Sequence, residues 1–204
     1  MNRITAGVVL ALALALPFAA AAADTVGDIV YLEDGVFISR NGQSLGPDSV
    51  YIGAAVENYD LVHTDATGYA EVEMNAPGNP AATVRVSPNT TFAFEVNRHG
   101  KGNRSSVGLI TGTLAMKVQK LSGSQAVEVA TESALMGVRG TTFVVIVNPA
   151  GETLVTTSEG QVSCTDEQGQ ELYAEPGQAV EKLPGESFRR IPVAVSSLEQ
   201  FQRD

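Results

Sequence analysis

Apolar and polar residues alternate along most of this chain, in short runs that end at turns rich in Gly, Asp, Asn and Pro. Residues 69–74 show the pattern: Tyr69, Glu71 and Glu73 interleave with Ala70, Val72 and Met74. A period of two predicts a strand with one wet and one dry face. Phe92, Phe94 and Val96 share a face in the same way, which marks 91–96 as a core supplier. Further strands are predicted at 29–32, 36–39, 60–64, 82–86, 108–118, 126–130, 135–138, 142–147, 153–157, 161–164, 171–174 and 178–180. Within 108–118, Leu109, Thr111 and Thr113 alternate against Ile110, Gly112 and Leu114.

The turns between these runs carry their own signals. Glu33-Asp34-Gly35 stands between two apolar runs and reads as a hairpin. Asn41-Gly42 gives a second turn, followed by a loop through 45–49. Asp65 to Gly68, Ser87 to Thr90, Pro149-Ala150-Gly151, Glu159-Gly160 and Pro176-Gly177 punctuate the rest. Residues 97–106 form the one basic polar insertion and read as an exposed loop tip. Ser196 to Glu199 matches a capping box, and Leu198 and Phe201 lie three apart, so a short C-terminal helix is expected. Short strands with a turn every few residues define an all-β class: a sandwich or jelly roll, a barrel, or an irregular solenoid. No fixed period recurs, so a regular repeat array is not expected.

Composition adds the address and removes some partners. The 204 residues are 44% hydrophobic with a formal charge of −10, which suits one domain with a substantial core. Acidity with few lysines excludes a nucleic-acid partner and charge-driven binding to an anionic membrane face. The first 23 residues differ: Arg3 precedes an apolar run, Pro17 ends it, and Ala19 to Ala23 supplies small residues for a signal peptidase. The expected organisation is a signal peptide at 1–23, cut between Ala23 and Asp24, one domain at 24–185, and a tail at 186–204. The product would be periplasmic or secreted, with no membrane span after cleavage.

Candidate chemistry is sparse. The single cysteine, Cys164, continues a strand alternation and reads as a small buried residue, so no disulfide supports the fold. There is no Cys pair, no His-x-His, no phosphate loop with its lysine and no nucleophile elbow. No catalytic residue, cofactor or metal is therefore assigned. His99, Lys101 and Arg104 in the basic loop could bind an anion, although a solvated loop is the simpler reading. The densest stretch is 136–143, Met-Gly-Val-Arg-Gly-Thr-Thr-Phe. Arg139 there has two readings. It could be buried or half-buried, donating to carbonyls left open at chain corners, or it could hold an anionic ligand or partner segment. The first is preferred.

That stretch carries a resemblance. Val127 to Phe143 resembles the signature of the FecR domain, in which a strand ends in Thr-Pro and is followed by Val-Arg-Gly-Thr-x-Phe and another strand. Here Glu132 stands in place of the proline. The matching positions are Gly137, Val138, Arg139, Gly140, Thr141 and Phe143, joined by Glu159 and Gly160 in a later strand–Glu-Gly–strand element. Pro176-Gly177-Gln178 and Asp60 to Thr64 are similar to further family elements, so the likeness runs over about 27–180. The resemblance implies a twisted β-solenoid or roll. It also implies a non-enzymatic binding or scaffolding module of the bacterial envelope, with a protein partner or a signalling role. FecR itself relays a receptor's state across the inner membrane to a sigma factor. The sequence as it stands carries no cytoplasmic anti-sigma region, so the expectation is a free-standing exported domain. Binding of an envelope glycan or small anion near the basic loop is the alternative.

Overall fold

The computed structural model describes residues 25–75, 81–97, 104–120 and 126–193. These hold seventeen strands and no helix. They are β1 (Thr25–Leu32), β2 (Val36–Arg40), β3 (Gln43–Leu45), β4 (Ala55–Glu57), β5 (Leu61–Thr64) and β6 (Ala70–Met74). Next come β7 (Ala82–Val86), β8 (Thr91–Asn97), β9 (Arg104–Val118), β10 (Ala126–Ala130), β11 (Leu135–Val138) and β12 (Thr142–Val147). The last are β13 (Thr153–Glu159), β14 (Val162–Thr165), β15 (Glu171–Ala174), β16 (Gln178–Lys182) and β17 (Arg189–Pro192). No described helix is long and apolar enough to cross a membrane.

The ladders form two runs. One passes β4, β1, β6, β7, the second half of β9, β12, β13, β16 and β17. The other passes β3, β2, β5, β8, the first half of β9, β10, β11, β14 and β15. Pairing is antiparallel except between β9 and β10. From β6 onward the chain makes a hairpin in one run and turns a corner. It then makes the next hairpin in the other run. The dry faces of both runs meet in one core, with Phe92, Phe94, Leu114, Met116, Met136 and Phe143 fully buried. Phe92 and Phe94 meet edge-on at 5.1 Å, worth about 1 kcal/mol beyond their buried area.

β9 is where the two runs join. Ser105, Val107 and Leu109 are buried in its first half, and Leu114, Met116 and Val118 in its second. The inward phase therefore shifts from odd to even positions, and Gly112, at φ +100°, lies at the switch.

Several expectations are corrected. Glu33-Asp34-Gly35 is no hairpin: β1 and β2 pair in different runs, and this turn is a corner. The reason is local, because Gly35 accepts from the Asp65 N–H and so ties the turn to the next corner instead of to its own strand. Between Asn41-Gly42 and the loop the chain forms β3, which was not expected and overlaps the predicted loop only at Leu45; both turn residues have positive φ and close a two-residue hairpin. β4 and β17 were also not anticipated. The loop expected over 97–106 is shorter, because Arg104 to Ser106 belong to β9 and pair with both β8 and β10. Residues 98–103, the signal peptide expected at 1–23 and the helix expected near 198–201 lie outside the described residues.

Candidate functional site

The signature stretch forms the corner from β11 to β12. Val138, Thr141 and Phe143 are buried, and the Thr141 carbonyl accepts from the Val118 N–H at 2.9 Å. Gly137 lies against β14, where a Cβ would come within 2.7 Å of Ser163 Oγ. Gly140, at φ +70°, lies against Lys120. Gly160 turns the neighbouring corner from β13 to β14 at φ +79°, and a Cβ there would stand 2.4 Å from Thr141 Cγ2. The two corners thus interlock, and the Thr142 hydroxyl reaches the exposed Glu159 carboxylate at 3.4 Å. Arg139 departs from expectation: its side chain is exposed rather than buried or half-buried. Val138 and Thr141 on either side take the buried positions of the corner, and Arg139 between them is left at the surface. At an exposed position polar contacts contribute little to stability.

Cys164 is buried in β14, and burial pushes its thiol up to about 12 against an ordinary value of 9.0. The folded state holds this proton more tightly than the unfolded one. Its stabilising share is complete below about pH 9 and is lost as pH rises toward 12. Unfolding by urea at about pH 10.5 should need about 2 kcal/mol less than at pH 8, at about 1.4 kcal/mol per unit above 9. Tyr69, raised to about 12 mainly by burial, adds in the same direction. Cys164→Ala should remove only the thiol's share of that slope; an unchanged slope would refute the assignment.

Two features that sequence reasoning did not single out lie near the N-terminal end of the fold. The first is an ion-pair cluster. Asp60, only 1% exposed, accepts from Arg40 Nε at 2.8 Å and Nη2 at 2.6 Å, and from the Glu57 N–H at 2.8 Å. Arg40 also donates to Glu57 at 2.6 Å and to the Ala55 carbonyl of β4 at 2.9 Å. The bidentate carboxylate raises the affinity of Arg40 for its proton.

The second is an exposed apolar and aromatic surface. The β1–β6 register slips between Ile29 and Tyr31, so Val30 and Tyr31 both turn outward, 42% and 45% exposed. Ile29 exchanges hydrogen bonds with Gly53 and Ala54, which brings Tyr51 and Ile52 alongside, 59% and 61% exposed. A hollow of about 300 Å3 is lined by Leu32, Val36, Pro47, Val50, Tyr51 and Ile52, with Glu33 to Gly35 at its rim. A second, of about 330 Å3, is lined by Tyr31, Glu33, Tyr69, Glu71 and Pro88. Glu33 borders both. The Tyr31 and Tyr69 rings meet edge-on at 5.7 Å, and their hydroxyls donate to Glu33 at 2.9 Å and Glu71 at 3.2 Å. These bonds to carboxylates hold the Tyr31 phenol above its ordinary pKa. Two consecutive large apolar residues before Gly53, in a stretch without alternation, were the available sequence signal.

The geometry defines an all-β scaffold of alternating hairpins, with the 137–143 corner interlocked with its neighbour at Gly160. A family model described as FecR protein matches residues 60–163, half of the chain, and the chain belongs to that family. The match opens at the ion-paired Asp60 and is narrower than the expected 27–180. Two crystal structures of a candidate anti-sigma factor from Parabacteroides distasonis ATCC 8503 share the fold, with TM-scores of 0.57 and 0.56 at 12% identity. Each alignment covers 70% of this chain and 64% or 63% of the other, so the chain spans under two thirds of their length. No curated protein matches the sequence.

Proposed function

We propose that this chain is a non-enzymatic FecR-type module of the bacterial envelope that holds a protein partner and serves regulation or signalling there. In this reading residues 1–23 export it, and cleavage between Ala23 and Asp24 releases it into the periplasm or the medium. The observation that carries the reading is the surface at Val30, Tyr31, Tyr51 and Ile52. It gathers four of the seven exposed large hydrophobics among the described residues. Single exposed apolar side chains are ordinary, whereas contiguous ones beside a groove mark interaction sites. The family and the description of the structurally similar protein support a regulatory role. The strand-paired scaffold supplies a rigid base on which a partner can dock without large rearrangement.

A photo-crosslinking residue in place of Tyr51, expressed in the native cell, should yield a covalent adduct with one envelope protein. A crosslinker in place of exposed Glu167, in the turn between β14 and β15, should not capture it. The proposal fails if Tyr51 yields no protein adduct while the purified protein is retained on envelope glycan.

A further inference from the structure

The partner's chemistry can be read from the two hollows on either side of Glu33, an inference that rests on the docking surface just proposed. One hollow is walled by apolar side chains and the other by two phenol rings with carboxylates. Near their shared border Glu33 and Asp34 carry negative charge, while Glu71 is matched by Arg85 at 2.9 Å. Asp65, packed over Gly35, is held below the ordinary carboxylate range, first by the Thr67 N–H and hydroxyl and then by the Gly68 N–H and His63. The border is therefore negative at neutral pH. Both tyrosine hydroxyls already donate to carboxylates, which enriches the rings in electron density and favours a cation against them.

The geometry points to a partner segment that carries an Arg or Lys side chain beside an apolar one. The cation enters between Tyr31, Tyr69 and Glu33, and the apolar side chain packs on Val36, Pro47, Tyr51 and Ile52. An acidic segment would bring like charges to Glu33 and Asp34. A wholly apolar segment would cover those carboxylates without a counter-charge, which costs more than the contact returns. A cation paired with Glu33 satisfies both hollows at once, and the outer rim keeps water for Asp34.

A phage-displayed dodecapeptide library panned on the immobilised protein tests this. Enriched peptides should place Arg or Lys within a few residues of Leu, Ile, Phe or Trp, and added salt should weaken their binding. Anisotropy of one such labelled peptide should show about tenfold weaker affinity for Glu33→Gln and, separately, for Ile52→Ser. Both changes sit on the surface, and an unaltered melting temperature checks that they leave the fold intact. Enrichment of acidic or wholly apolar peptides, no enrichment, or an affinity indifferent to Glu33→Gln would overturn the inference. The docking reading fails separately, when Tyr51 yields no protein adduct and the purified protein is retained on envelope glycan. An adduct whose contact segment lacks a basic residue would sink only the inference.

Discussion

Gly112→Ala should cost more than about 4 kcal/mol, a large fraction of the stability of a domain this size. At this position β9 leaves one run of strands for the other, and its backbone takes φ +100°. A Cβ there would stand 2.4 Å from the Thr90 Cα, 2.3 Å from its Oγ1 and 2.7 Å from the Asn89 carbonyl oxygen. Those neighbours cannot yield cheaply. Thr90 is buried, and its Oγ1 accepts from the Thr113 N–H at 2.9 Å, so moving it breaks the bond that holds the bend. Gly169, at φ +78° in the β14–β15 hairpin, has nothing within 4 Å of its Cβ position. Gly169→Ala should therefore cost only the conformational strain, about 1–2 kcal/mol. Equal melting temperatures for the two variants would contradict the packing account of β9.

Arg40→Met should destabilise by about 3–5 kcal/mol, because it strands a buried carboxylate. Asp60 is 1% exposed and takes two of its hydrogen bonds from the guanidinium. The Glu57 N–H would still donate to Asp60, but the charge would have lost its guanidinium, and Glu57 would lose its own counter-ion. The double variant Arg40→Met, Asp60→Leu should recover much of the loss, since the cost lies in the unpaired charge and not in the missing attraction. Chemical denaturation of the two variants and the wild type measures this. A double variant no more stable than Arg40→Met would mean that shape, not charge, governs the site.

Strands were readable because one-sided burial imposes a period of two. Ala70, Val72 and Met74 turn inward as their spacing requires, and β7, β10, β11, β12 and β15 have their expected bounds. Partner choice was not readable. A hairpin and a corner use the same short Gly- and Asp-containing turns, and Glu33-Asp34-Gly35 is held as a corner by bonds to Asp65 and Tyr69, both far along the chain. The ion pair of Asp60 was not readable because its partner, Arg40, lies twenty positions earlier in another strand. The signature was legible as a tight corner, and Val138, Thr141 and Phe143 point inward there. The exposure of Arg139 was not legible, because strand alternation does not set which way a side chain faces within a corner. The aromatic hollow was hidden for a related reason. A register slip after Ile29, invisible in the alternation, turns Val30 and Tyr31 to the same side.

The double membership of β9 bears on how this family can vary. Among the described residues, strand pairing between the first eight strands and the last eight passes only through that strand. Hairpins farther along either arm rest on their immediate neighbours and are not needed to close the centre. Lengthening or trimming an arm by a hairpin pair would leave the junction as it is, much as storeys can be added to a tower without touching its foundation. Sequence drift should then be slowest around β9 and its bend and fastest toward the two outer ends.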